Sequence, residues 1–99
     1  MKILLLCNAG MSTSLLVKKM KAEAEERGIE NIEIEARSAL ELPGLIETYD
    51  VFLLGPQLAY KEKEIAETCM EHSKKFALIA PMIYGMVDGK KALDLALGL

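Results

Sequence analysis

The chain is poor in the residues that build staples and metal sites. Its 99 residues include two cysteines, Cys7 and Cys69, and one histidine, His72. Two cysteines are too few for a disulfide scaffold. With no Cys-x-x-Cys pair and a single histidine to help them, they cannot make a zinc site either. A reducing compartment is expected, with no metal and no cofactor. Basic runs interleaved with aromatics are also missing. Twelve Lys and Arg stand against fifteen Asp and Glu, for a formal net charge of -3. The electrostatic footprint of a nucleic-acid binder is therefore absent, and DNA and RNA are not expected partners.

Long apolar runs are missing too. Lys2 followed by Ile3, Leu4, Leu5, Leu6 and Cys7 has the look of a lipoprotein signal, but Asn8 and Gly10 cut it short. A secretory core needs roughly 7 to 15 apolar residues and a membrane-spanning helix roughly 20. The expected location is cytoplasmic. A hydrophobic fraction of 52% with 27% charged residues fits an ordinary globular chain. Ninety-nine residues can bury one core but not two, so a single domain over 1–99 is expected.

Four short apolar runs are evenly spaced: Lys2 to Leu6, Ile32 to Ala36, Val51 to Leu54 and Phe76 to Ala80. The first, third and fourth are nearly continuous, as strands buried on both faces are, whereas Ile32-Glu33-Ile34-Glu35 alternates like an edge strand. Between them lie helical patterns. Leu16, Val17, Met20 and Ala24 share one face, with Gly28 as a stop. A second helix is predicted over Lys61 to Ser73, with Ile65, Ala66, Cys69 and Met70 apolar, and a third over about Gly89 to Leu97. Ser38 to Thr48, interrupted by Pro43 and Gly44, predicts a short or irregular helix. Alternating strands and helices predict an α/β fold: an open four-stranded parallel sheet with helices on both faces. Ligands bind such sheets beyond the carboxyl ends of the strands. Three segments reach that rim: Cys7 to Ser14, Gly55-Pro56-Gln57 and Pro81 to Gly89.

The segment Cys7-Asn8-Ala9-Gly10-Met11-Ser12-Thr13-Ser14 joins the first strand to the first helix. Backbone N–H groups of such a turn and of a helix's first turn converge on a common centre, which suits an anion. A thiolate at its lip would have its charge met by the same donors. A thiol phosphatase built on a loop of this kind has the pattern Cys-x-x-x-x-x-Arg, in which arginine grips the phosphate. Thr13 occupies that place, and no Asp-Pro pair offers a general acid. A phosphocysteine here would lack hydrolytic aids and could await a partner. The same residues also allow a plainer reading, a small buried cysteine followed by a helix cap.

Elsewhere the plain readings prevail. Cys69 shares an apolar stripe and reads as core; His72, near a helix end, reads as surface; Lys18, Lys19 and Lys21 read as a solvated helix face. Met11, Tyr60 and Tyr84 are open between packing and a role at the rim.

Three motifs together, Cys-Asn-Ala-Gly-Met-Ser-Thr-Ser-Leu-Leu-Val at 7–17, Leu-Leu-Gly-Pro-Gln-Leu-Ala-Tyr at 53–60 and Ile-Tyr-Gly-Met-Val-Asp-Gly at 83–89, cover the rim. The chain resembles the IIB components of the lactose and cellobiose (chitobiose) branch of the bacterial sugar phosphotransferase system. The resemblance implies a P-loop-like cysteine loop after the first strand. Cys7 matches the phosphorylated cysteine, and Asn8, Ala9, Gly10, Met11, Ser12, Thr13 and Ser14 match the loop around the phosphate. It also implies a IIA phosphohistidine protein as donor and a membrane IIC permease that presents the sugar. The rivals are a low-molecular-weight phosphatase and a redox-sensing module in which Cys7 is oxidised.

Overall fold

The computed structural model describes residues 1–8 and 11–99, leaving aside the side chains of Met11 and Ser12. Four parallel strands, β1 (Lys2–Cys7), β2 (Glu33–Ser38), β3 (Val51–Leu54) and β4 (Lys75–Leu78), make one sheet in the order β2-β1-β3-β4. The helices are α1 (Met11–Glu26), α2 (Leu42–Leu45), α3 (Glu62–Glu71), α4 (Pro81–Gly85) and α5 (Gly89–Leu97). Tight 3-10 turns at Ala39–Glu41 and Pro56–Lys61 lead into α2 and α3.

The order explains the layers. α1 carries the chain from β1 to β2 in one direction, and α2 and α3 carry it back the other way. With one crossover hand for all parallel connections, α1 falls on one face and α2 and α3 on the other. The strand alternation matches this division. Ile3, Leu5, Val51 and Leu53 pack under Leu16, Val17 and Met20 of α1 and Ala92, Leu93 and Ala96 of α5. Leu4, Leu6, Phe52 and Leu54 pack against Leu42, Leu58, Ile65 and Cys69. Each fully buried Leu or Ile contributes about 1.5–3 kcal/mol. The continuous apolar runs of β1 and β3 supply such residues to both faces at once.

Several elements differ from expectation. β4 is the second edge of the sheet and only half-buried, although its apolar run resembled a central strand. Phe76, Ala77 and Leu78 cover the sheet's flank instead of filling its middle. Met70 is 76% exposed and lies off the stripe that Ile65 and Cys69 form. The helix expected over Lys61 to Ser73 is α3, and Pro56 opens a 3-10 turn ahead of it that the sequence pattern did not show. Residues 81–89 are no simple loop. Pro81 lacks the N–H that a first helical residue would leave unpaired, and it starts α4.

Candidate functional site

The strand order reverses between β1 and β3, and open parallel sheets bind ligands in the crevice at such a point. Cys7, the last residue of β1, and Gly55, the first after β3, both lie there. The Gly55 N–H donates to the Leu6 carbonyl at 3.0 Å, extending the β1–β3 pairing to the rim. Cys7 is 1% exposed, and its Sγ donates to the Arg37 carbonyl at 3.5 Å. The Arg37 guanidinium is paired at the surface, with its Nη2 3.4 Å from Glu35 Oε2.

After Cys7 the chain enters α1. Ala9 and Gly10 lie outside the described residues, as do the side chains of Met11 and Ser12. Asn8 and Ser14 are exposed, and Thr13 is buried. The first turn of α1 holds no acidic residue. The other two long helices neutralise their own amino ends, α3 with Glu62 and Glu64 and α5 with an Asp88 carboxylate that accepts from the Lys91 N–H at 3.1 Å. A negative group placed at a helix amino end gains about 0.3–2 kcal/mol, and α1 has no acidic residue of its own in its first turn to take that place.

The rim loops meet at one phenol. Thr13 Oγ1 lies 3.0 Å from the Tyr84 hydroxyl, and Gln57 Nε2 donates to that same oxygen at 3.1 Å. Tyr84 belongs to α4, Gln57 to the turn after β3, and Thr13 to the first turn of α1. Gln57 reaches the phenol by folding back over Gly55, where an added Cβ would stand 2.7 Å from Gln57 Oε1. The sequence left Tyr84 undecided, and Gln57 was only one residue of a loop. A buried threonine hydroxyl needs a partner, and that need is the one signal that points toward a rim tyrosine.

Tyr84 is itself held firmly. The end of α4 closes with the Val87 N–H on the Tyr84 carbonyl at 3.1 Å and the Asp88 N–H on the Ile83 carbonyl at 2.9 Å. Val87 adopts φ +51°, a left-handed conformation usually given to glycine. Immediately beyond, Gly89 of α5 meets α1 backbone to backbone; a Cβ there would lie 2.7 Å from the Lys19 carbonyl carbon. α1 is therefore anchored to the third loop at two places, Lys19 and Thr13.

The other candidate residues stand apart from this crevice. Cys69 is fully buried in α3 among core residues, and burial pushes its thiol up to about 11. His72 caps the end of α3 at the surface, with Nδ1 2.9 Å from the Thr68 carbonyl. Lys18, Lys19 and Lys21 lie on the exposed face of α1. Tyr60 is 75% exposed just past β3, and Leu15, Leu40, Met82 and Met86 are likewise exposed apolar side chains in segments that follow the strands' carboxyl ends. Among the described residues, no group of three or more His, Cys, Asp or Glu side chains could hold a metal ion, and no helix is long and apolar enough to cross a membrane.

Comparison with known proteins agrees with this architecture. The family described as "PTS system, Lactose/Cellobiose specific IIB subunit" matches residues 2–95. The oligo-beta-mannoside-specific EIIB component of Bacillus subtilis is 42% identical over 98 residues, covering 99% of this chain and 94% of that protein. The galactose-specific EIIB component of Lactococcus lactis subsp. cremoris is 39% identical, over 95% of this chain and 91% of that protein. Among solved structures, the cellobiose-specific IIB component of Borrelia burgdorferi superposes with a TM-score of 0.82 at 37% identity, over 99% of this chain and 89% of that one. A four-stranded parallel sheet with a cysteine at its switch point, matched along almost its whole length, makes this chain a member of the lactose/cellobiose-specific IIB family of the sugar phosphotransferase system.

Proposed function

We propose that this IIB component carries its phosphoryl group on Cys7, taking it from a phosphohistidine of a IIA protein and delivering it to a sugar held by a membrane IIC permease. IIB components are phosphotransferases that act with IIA and IIC partners; the residue, the route and a cytoplasmic location are the finer reading. The observation that carries it is the place of Cys7, at the carboxyl end of a central strand, in the connection to a helix that begins at Met11 and has no acidic residue in its first turn.

The chemistry follows from that place. In the first step the Cys7 thiolate attacks phosphorus in line; the S–P bond forms as the P–N bond to histidine breaks, and the imidazole keeps the electron pair. In the second, a sugar hydroxyl oxygen attacks the same phosphorus. The O–P bond forms, the hydroxyl proton passes to a base, and Cys7 leaves as thiolate. Both steps gather charge on the transferring oxygens, which preorganised N–H donors stabilise without reorganising. We assign this role to the N–H donors at the start of α1.

Two further features support the partner reading. The exposed Leu40, Tyr60, Met82 and Met86 near the strands' carboxyl ends are the apolar contacts that a transient protein interface requires. The similar components named for oligo-beta-mannoside, galactose and cellobiose differ in sugar. We place the choice of sugar in the permease, and we treat residues 1–99 as one carrier domain.

Intact mass spectrometry after incubation with phosphoenolpyruvate and the upstream phosphotransferase proteins tests the reading. One added phosphoryl group is expected on wild type and on Cys69→Ser, and none on Cys7→Ser. Retained acceptance in Cys7→Ser, or none in wild type beside a competent donor chain, overturns it.

A further inference from the structure

We infer that Tyr84 is a positioning residue for phosphoryl transfer, holding the first turn of α1 in register with Cys7 through its hydroxyl. This rests on the phosphocysteine reading of the site. The Tyr84 oxygen lies 3.0 Å from Thr13 Oγ1 and accepts from Gln57 Nε2 at 3.1 Å, so one phenol ties together the segments that follow β1, β3 and β4. In the Thr13–Tyr84 bond either hydroxyl can donate. Thr13 stands six residues after Cys7, the place where a phosphatase loop carries its arginine fork. A neutral threonine–tyrosine pair therefore fills the position of a cation, and the charge on a bound phosphoryl group is left to the loop and helix N–H donors.

A core tyrosine with a merely satisfied hydroxyl would need none of the surrounding construction. Tyr84 is braced by the bonded end of α4, and the chain passes directly from there into α5, whose Gly89 lies close against Lys19 of α1. Gln57 folds over Gly55, beside the carboxyl end of β1, to reach the phenol. The hydroxyl joins the hydrogen-bonded segment after β4 to the first turn of α1. Reactant geometry is sensitive at the level of about 1 Å, where errors cost up to about 100-fold in rate. Loss of one neutral hydrogen bond should loosen this turn without unfolding it, and the expected loss is about tenfold.

Tyr84→Phe removes only the hydroxyl and keeps the ring in its packing. Single-turnover transfer from the phosphorylated IIA donor should slow about tenfold, with the loss in the transfer step and not in the donor's half-saturation. The phosphorus-31 resonance of the phosphocysteine should move as well. Thr13→Val should match it, and the double variant should be no worse than either single one. Gln57→Leu, at an exposed side chain, should move the same resonance by a smaller amount and serves if Tyr84→Phe proves unstable. A wild-type rate in these variants, or a slowed rate with an unmoved resonance, overturns the inference. Absence of phosphate on the wild-type protein would instead overturn the phosphocysteine reading.

Discussion

Cys7 and Cys69 are equally hidden, at 1% and 0% exposure, yet their surroundings have little in common. Cys69 sits within α3, where Ile65 one turn earlier and Leu4, Leu6 and Phe52 of the sheet share its cluster. Its helix neutralises its own amino end with Glu62 and Glu64, and burial holds the thiol in its protonated form, raised to about 11. Cys7 sits where a strand stops. Its sulfur touches a backbone carbonyl, and the helix that follows has no acidic residue in its first turn. Exposure alone therefore cannot separate a core thiol from a candidate nucleophile. The separation comes from what the backbone does next, because a strand end followed by a helix start gathers unpaired N–H groups and a mid-helix position offers none.

The sharpest way to break this comparison is to exchange the two thiols for hydroxyls. Cys7→Ser should lose phosphoryl acceptance completely, and Cys69→Ser should keep it at some cost in stability. Second in size is Gly89→Ala. With Lys19 backbone only 2.7 Å from the new Cβ, α5 must retreat from α1, at about 1–3 kcal/mol by denaturant unfolding. The same retreat shifts the third loop against α1, so transfer through Cys7 should slow, while Cys69 stays shielded from alkylation under native conditions. Unchanged stability and unchanged transfer would show that the close approach of the two helices does not brace the rim.

A third test acts on the Cys69 side by pH. The folded thiol is raised by burial from an ordinary 9.0 to about 11, whereas the unfolded chain gives up that proton near the ordinary value. Between these values the unfolded state binds fewer protons, so stability falls as pH rises; the contribution is intact below about pH 8 and gone near pH 11. At about 1.4 kcal/mol per unit, the loss is about 1–3 kcal/mol. Tyr49, raised by burial and by its bond to Glu35, adds a loss of the same sign at still higher pH. The stability gap between wild type and Cys69→Ala isolates the cysteine, since only wild type loses this contribution. That gap should narrow between pH 7 and pH 10.5 in urea unfolding, and a constant gap would mean that the thiol titrates freely.

The two cysteine regions were also unequally legible. β1, β3 and α1 could be read directly, because central strands and an amphipathic helix express their burial in local composition. Cys69 could be read for the same reason, from its stripe with Ile65. β4 could not: a run such as Phe76-Ala77-Leu78 looks alike in the middle of a sheet and at a flank covered on one side, and only the strand order decides. α4 was hidden because Pro81 and Gly85 carry turn signals at both of its ends, in a segment of only five residues. The Thr13–Tyr84–Gln57 junction was the least visible. Its members are 71 and 27 residues apart along the chain, and no local pattern encodes a hydrogen bond of that reach. The strand-to-helix boundary that Cys7 to Ser14 spans was legible because both flanking patterns are local; the phosphate role expected of it came from the family resemblance.

The smallest expected effect separates stability from transfer. α1, α3 and α4 end alike, each with two closing backbone bonds around a left-handed residue: Gly28 at φ +71°, Ser73 at +57° and Val87 at +51°. Only α1 uses glycine, and a side chain in this conformation costs about 1–2 kcal/mol. Val87 is half-buried and packs against the core, so removing its side chain would trade strain for lost contact. Ser73 is exposed at the end of the helix that carries Cys69, with its N–H on Met70 and the next N–H on Cys69. Ser73→Gly should relieve the strain while giving back part of it through the greater freedom of the unfolded chain, a net gain of about 0.5–1 kcal/mol. Because α3 leaves the rim at its other end, transfer through Cys7 should not change. A gain in stability with an unchanged single-turnover rate would place Cys69 and its helix wholly on the structural side. A slowed rate would mean that the packing behind β3 reaches the phosphate loop through Leu4 and Leu6 of the shared central strand.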